Sequence, residues 1–215
     1  FPQLVLPTIL DSKCLITSKW LPYTQMGKIN LSEIFRKINY VKKIQIYLEV
    51  INQLRFLLDE FGIIVFDRNK ENIMVGRIDE WLSGEISVPE ISQVDLETVY
   101  YSFEDKIISC NPKQAKLMRE EIEKLKIAGR SLSVLNAREL LIFLSPFLND
   151  LANKIYNKGR LIDIVNSLKD LKNFDIEECL NLVEVGNLLN ELLLGIRSEP
   201  LFQRVVYSEV SHSAV

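Results

Sequence analysis

The sequence predicts an α+β fold that is mainly α. Two observations carry this. Runs rich in β-branched and aromatic residues are short and confined to the first half of the 215-residue chain, whereas apolar residues three and four apart dominate the second half. A third, the lack of any apolar run near the ~18 residues of a membrane span, leaves a globular chain large enough to bury a substantial core.

The chain opens with Leu4-Val5-Leu6 and Cys14-Leu15-Ile16-Thr17, separated by Pro7 and the turn-like Asp11-Ser12-Lys13, which predicts a β-hairpin. An irregular connector follows, with Trp20-Leu21-Pro22-Tyr23 and Gly27. From about Leu31 to Phe61 the apolar positions Ile34, Ile38, Val41, Ile44, Tyr47, Leu48, Ile51, Leu54 and Leu58 mark one face of a helix. Asn30 or Ser32 suits its cap, Glu33 its first turn, and a break near Asn39 divides it into a short and a long helix. Gly62 closes the long helix, since glycine takes the left-handed conformation cheaply.

Ile63-Ile64-Val65-Phe66 and Ile73-Met74-Val75 then read as short buried strands on either side of a charged loop. Gly76 to Glu90, with Trp81, Gly84 and Pro89, reads as a loop or hairpin. Ile91-Ser92-Gln93-Val94 is a β-like run ending on Asp95, with Leu96 to Tyr101 beyond it. After Cys110 the pattern is helical. Pro112 opens a helix running to Gly129, Ser133 caps another, Ser145-Pro146 carries the cap-and-first-position signature of a further start, and Asp175 with Glu178 resembles a capping box. The last helix fades between Gly195 and Pro200, and its Leu188, Leu189, Leu192 and Leu193 face the core.

Composition removes several chemistries. The single histidine, His212, lies in the terminal stretch, so nucleophilic triads built on a core histidine are excluded from the reading. Cys14, Cys110 and Cys179 are too few for a four-cysteine zinc site, and their scatter fits a reducing, cytoplasmic compartment. A net charge of −3 argues against a broad nucleic-acid footprint. Phe1-Pro2-Gln3, entering directly into β-like sequence without a Met, reads as a piece of a longer protein.

What remains is a set of oxygen-bearing side chains: Asp67, then Asn72 five residues later, then Asp95 at the end of a β-like run. Phosphoryl transfer uses such a set, one carboxylate to orient a hydroxyl and two oxygen ligands to hold Mg²⁺ against the phosphates of ATP. A charge that ends a buried strand, as Asp95 does, is costly unless it is paired or binds metal.

In this order (hairpin, connector, short helix, long helix, Asp67-x-x-x-x-Asn72 loop, strand, strand ending on Asp95, helices) the chain resembles the C-terminal lobe of the protein-kinase-like fold. The likeness covers roughly residues 1 to 110. It implies residues 1–23 as the last strands of an N-terminal lobe and the hinge, with 24–215 as the helical lobe. It further implies adenine contacts near Lys19, Trp20 and Leu21, a catalytic role for Asp67 with Lys70 beside it, and Mg²⁺ and ATP phosphates on Asn72 and Asp95. The family's His-Arg before the aspartate is Val65-Phe66 here, its Asp-Phe-Gly is Asp95-Leu96-Glu97, and no glycine-rich phosphate loop is present. These departures point toward kinase-like phosphotransferases of small molecules, sugars or lipopolysaccharide, with a protein acceptor the further option. Two other readings stand beside it: a pseudokinase or scaffold that binds a partner without catalysis, and a helical interaction module whose loop residues are incidental.

Overall fold

The computed structural model describes residues 29–30, 34–36, 38–66, 73–93, 98–109, 111–155, 159–171 and 175–198. The N-terminal hairpin and connector and His212 lie outside them, as do Cys14 and Cys110. Within them the chain is mainly helical, with two small antiparallel sheets, which is the predicted α+β class. No helix among the described residues is long and apolar enough to cross a membrane.

The chain enters through strand β1 (Ile29–Asn30), so Asn30 is a strand residue and not a helix cap. Ile34 lies in a helical turn, and the predicted break falls at Asn39, whose side chain accepts the Lys42 N–H at 2.9 Å and caps helix α1 (Tyr40–Phe61). Gly62 ends α1 at φ 63°, its N–H reaching back to the carbonyls of Leu57 and Leu58. A β-carbon there would stand 2.6 Å from the Ser102 Oγ and 2.9 Å from the Phe103 ring, so both conformation and space require glycine.

From Gly62 the chain passes directly into β2 (Ile63–Phe66). Strand β3 (Ile73–Gly76) and β4 (Glu90–Gln93) pair antiparallel, and β1 joins the outer edge of β3. Between them the sequence predicts a loop or hairpin; the hairpin forms, but its connection contains a short helix, α2 (Ile78–Ser83). Its cause is Trp81, fully buried, which draws a polar stretch onto the body, while Lys42 lies over the indole at 4.3 Å and donates to the Trp81 carbonyl at 3.1 Å. Gln53 of α1 donates to the Ile91 carbonyl at 2.6 Å and fixes β4 on the same helix.

The second sheet has the order β2-β5-β6, built from β5 (Thr98–Tyr101) and β6 (Lys106–Ser109), the latter a strand the apolar pattern did not reveal. Its residues alternate strictly by face. Ile64 and Tyr100 pack with Met118, Ile122 and Leu125, whereas Ile63, Val65 and Val99 pack with Leu57 and Phe61. The turn between β5 and β6 is held by Tyr100, which donates to Asp105 at 2.7 Å, and by Lys126, at 3.0 Å from the same oxygen.

The rest is helical. Helix α3 (Pro112–Ile127) starts as predicted, with Asn111 as its cap. Helix α4 (Ser133–Ile155) is preceded by Ser131, whose hydroxyl accepts the Ser133 N–H at 3.2 Å; the capping serine is thus two residues upstream of the predicted one. Pro146 does not start a new helix but lies inside α4. It forfeits a hydrogen bond to the carbonyl of Ile142, on the exposed side, while Leu140, Leu141, Leu144, Phe147, Leu148 and Leu151 hold the opposite face in the core. Packing thus overrides the local signal.

Helices α5 (Arg160–Asp170) and α6 (Leu182–Ser198) complete the body, α6 crossing both α1 and α5. A β-carbon on Gly195 would meet Leu161 at 2.2 Å, so this glycine sets the closeness of the α5–α6 crossing. Asp175 and Glu178 form a turn and not a capping box; the box lies six residues on, where Asn181 accepts from Val183 and Glu184 while Glu184 accepts the Asn181 N–H at 2.8 Å. Leu189, Leu192 and Leu193 are buried and Leu188 packs against the core, as their spacing predicts.

Candidate functional site

The residues singled out by sequence, Lys19, Trp20, Leu21, Asp67, Lys70, Asn72 and Asp95, lie outside the described residues, as does Glu97. The frame on which these segments hang is described, and it is specific. Segment 67–72 leaves the second sheet at Phe66 and enters the first at Ile73; segment 94–97 leaves the first at Gln93 and enters the second at Thr98. In the ladders Phe66 pairs with Thr98 and Ile73 pairs with Gln93. The two segments therefore run between the same two pairs of strand ends, in opposite directions. Directly opposed residues in an antiparallel ladder are about 4.5–5.5 Å apart at Cα.

These strand ends are firmly seated. Ile73 and Val75 are buried in the main helical core with Ile44, Leu140 and Trp81, which fixes the first sheet. Ile64 and Tyr100 anchor the second sheet onto α3 and the start of α4. Thr98, the first residue of β5, is fully buried, with its hydroxyl 2.9 Å from the Gln114 Oε1 and 2.6 Å from the Ser109 Oγ. Ser109 is also bonded at 3.0 Å to both the carbonyl and the N–H of Asn111, the α3 cap.

A second buried polar residue lies in the first turns of α4. Asn136 has no exposed surface, and among the described residues neither atom of its amide has a hydrogen-bond partner. On its helix, Val134 and Leu135 join the cluster that holds Ile64 and Phe66, and Ala137 joins the one that holds Ile73 and Val75. Asn136 thus lies on the stretch of α4 between the cores beneath the two sheets. Sequence reading missed Thr98, Ser109, Gln114 and Asn136, because a polar residue within an apolar run signals burial only once both of its faces are known to be covered.

Charge elsewhere among the described residues is structural in character. Glu121 and Arg138 form a half-buried pair at 2.5 Å, in which burial lifts the Glu121 carboxyl above the ordinary range and Arg138 opposes the lift. Burial likewise pushes the Cys179 thiol up, away from the thiolate that a reactive cysteine needs. Burial, and then the charge of Arg197, lower the pKa of Lys42 beneath that of a free lysine. Among the described residues no cluster of three or more His, Cys, Asp or Glu could hold a metal ion. An open groove of about 460 Å³ runs between α5 and α6, bordered by Arg160, Leu161, Glu191 and Leu194, on helices that supply no residue to the strand ends.

No protein-family model, no curated protein and no solved structure matches the chain.

Proposed function

We propose that this chain is the catalytic-loop half of an ATP- and Mg²⁺-dependent phosphotransferase acting on an alcohol of a small molecule, sugar or lipid, or of a protein. The observation that carries the reading is the double pairing of strand ends, Phe66 with Thr98 and Ile73 with Gln93. A shared metal site needs ligands from two chain segments to meet, and two segments strung between common paired ends are tethered to do so. The spacing that singled out Asp67, Asn72 and Asp95 was read from sequence alone, and the ladder register supports it independently.

In this reading Asp67 accepts a hydrogen bond from the acceptor hydroxyl and aims its oxygen at the γ-phosphorus. Asn72 and Asp95 supply hard oxygen ligands, the chemistry that suits Mg²⁺. The bound cation neutralises charge on the β- and γ-phosphates. Lys70 balances charge beside Asp67, and the backbone near Lys19, Trp20 and Leu21 meets the adenine.

Calorimetric titration of the full-length protein with Mg-ATP tests this. Asp95→Ala is expected to weaken binding by at least about tenfold, the loss of a charged ligand. Asp67→Asn is expected to keep binding and lose phosphate transfer. Equal affinity in wild type and Asp95→Ala overturns the metal assignment, whereas tight binding without transfer in the wild type selects the non-catalytic scaffold.

A further inference from the structure

We infer that the C-terminal end of α1 carries a docking surface for a basic amphipathic segment of a partner protein. It is formed by Phe56, Phe61 and Phe103, with the carboxylates of Asp59, Glu60 and Glu104 beside them. The inference does not rest on the phosphotransferase reading. The surface lies at the Ile63 and Tyr101 ends of β2 and β5, whereas the proposed site lies at their Phe66 and Thr98 ends.

Large apolar side chains exposed singly are ordinary and need no explanation, but here they adjoin. The Phe56 and Phe61 rings meet edge to face with centroids 5.5 Å apart. The Phe103 ring, from the turn between β5 and β6, stands against Gly62, the residue after Phe61; an added β-carbon there would lie 2.9 Å from it. Phe103 is 73% exposed and Phe56 52%, so the group presents aromatic surface to solvent. Phe61 packs inward on the buried Ile63, Val65 and Val99, which roots the group in the fold.

Charge decides what would cover it. Asp59 and Glu60 follow Phe56 by three and four residues, the spacing of neighbours on one helix face, and all three are exposed. Glu104 directly follows Phe103 and is exposed too. None of these carboxylates has an ion-pair partner among the described residues, although Arg55 and Lys106 stand a few residues away in sequence. Asp59 and Glu60 also lie in the last turn of α1, which contains no basic residue. There they face the negative end of the helix dipole, where a carboxylate costs stability and a cation adds it. Lysine at these positions would serve α1 better, and a cation brought by a partner relieves the same repulsion. Such a surface repels a second copy of itself, an anionic bilayer and nucleic acid alike. It selects lysine or arginine set beside apolar side chains, as a basic amphipathic helix presents them.

The test titrates the full-length protein with a fluorescently labelled helical peptide of about 18 residues, leucine on one face and lysine on the other, read by anisotropy. The same peptide with glutamate for lysine, and vesicles of phosphatidylserine, are run beside it. Saturable binding of the lysine peptide is expected, weakened about tenfold or more by Phe103→Ala and by the double variant Asp59→Lys, Glu60→Lys. The double variant is also expected to unfold at a higher temperature than the wild type, a gain in stability with a loss of binding that poor folding cannot produce. Phe56→Ala, at a half-exposed ring, gives the aromatic reading should Phe103→Ala not fold. The proposal is overturned by a wild type that does not bind the lysine peptide, by equal binding of the glutamate peptide, or by wild-type affinity in the variants. Vesicle binding or self-association lost in Phe103→Ala would likewise overturn it, by assigning the surface to a bilayer or to a second copy.

Discussion

The helical body and the sheet-bearing half of this protein are built on opposite plans. The body of α1, α4, α5 and α6 shares one large apolar cluster in which Ile44, Leu54, Leu144, Leu148, Leu189 and Leu192 have no exposed surface. The second sheet rests on two smaller clusters and on polar fixings: the Thr98–Ser109–Gln114 cluster, and Tyr100 and Lys126 on Asp105. Its strands are four residues long, too short to persist unless docked. Stability is thus concentrated in helices, while the segments of proposed function hang between short strands whose register is set by hydrogen bonds. Non-directional burial suits a body that must only hold together, and directional bonds suit strand ends that must present side chains at fixed angles.

The comparison is sharpened most by a core truncation. Leu144→Ala opens a cavity at the centre of α4 and is expected to lower unfolding stability by about 2–5 kcal/mol in urea titration, with loss of structure in both halves together. A cost below about 1 kcal/mol would break the claim that the body dominates. Gly62→Ala strikes the joint between the halves. The left-handed conformation and the contacts with Ser102 and Phe103 predict a loss of about 1–3 kcal/mol. Hydrogen exchange should rise in β2 and β5 before it rises in α4; uniform exchange would show no division between the halves.

The smallest effect concerns Asp105. The Tyr100 hydroxyl and then the Lys126 ammonium hold its carboxyl below the ordinary value of 3.8. A depressed folded pKa gives stability that is present above that value and lost as pH falls through the folded pKa. Asp105→Asn should therefore lower stability slightly near neutrality and converge with the wild type as pH falls below about 4, so that the acid limb flattens, as thermal unfolding across pH would read. An unaltered acid limb would remove Asp105 from the account.

Much of this frame was legible in the sequence where a local rule and the tertiary demand agree. The break at Asn39, the stop of α1 at Gly62 and the opening of α3 at Pro112 each follow from local backbone chemistry, whereas the cap expected at Asn30 or Ser32 is supplied by Asn39 itself. The missed features depend on distant contacts. Helix α2 exists because Trp81 finds a buried seat, and β6 exists because β5 offers an edge. Pro146 was misread because its helix is held by long-range packing, and Asp175 because Asn181 meets the same capping rule with the reciprocal bonds in place. Of the proposed site, spacing gave Asp67, Asn72 and Asp95 as residue types in an order. That their flanking strands pair end to end is a property of the ladders, which no spacing encodes.

The most direct measurement is paramagnetic broadening of the amide signals of the full-length protein by Mn²⁺-ATP, since Mn²⁺ takes the same oxygen ligands as Mg²⁺. Broadening of residues 67–72 and 94–97 together, at substoichiometric Mn²⁺-ATP and with α5 and α6 unaffected, is the predicted result. Broadening that spares either segment, or that falls on the helical body instead, would contradict a shared site at the paired strand ends.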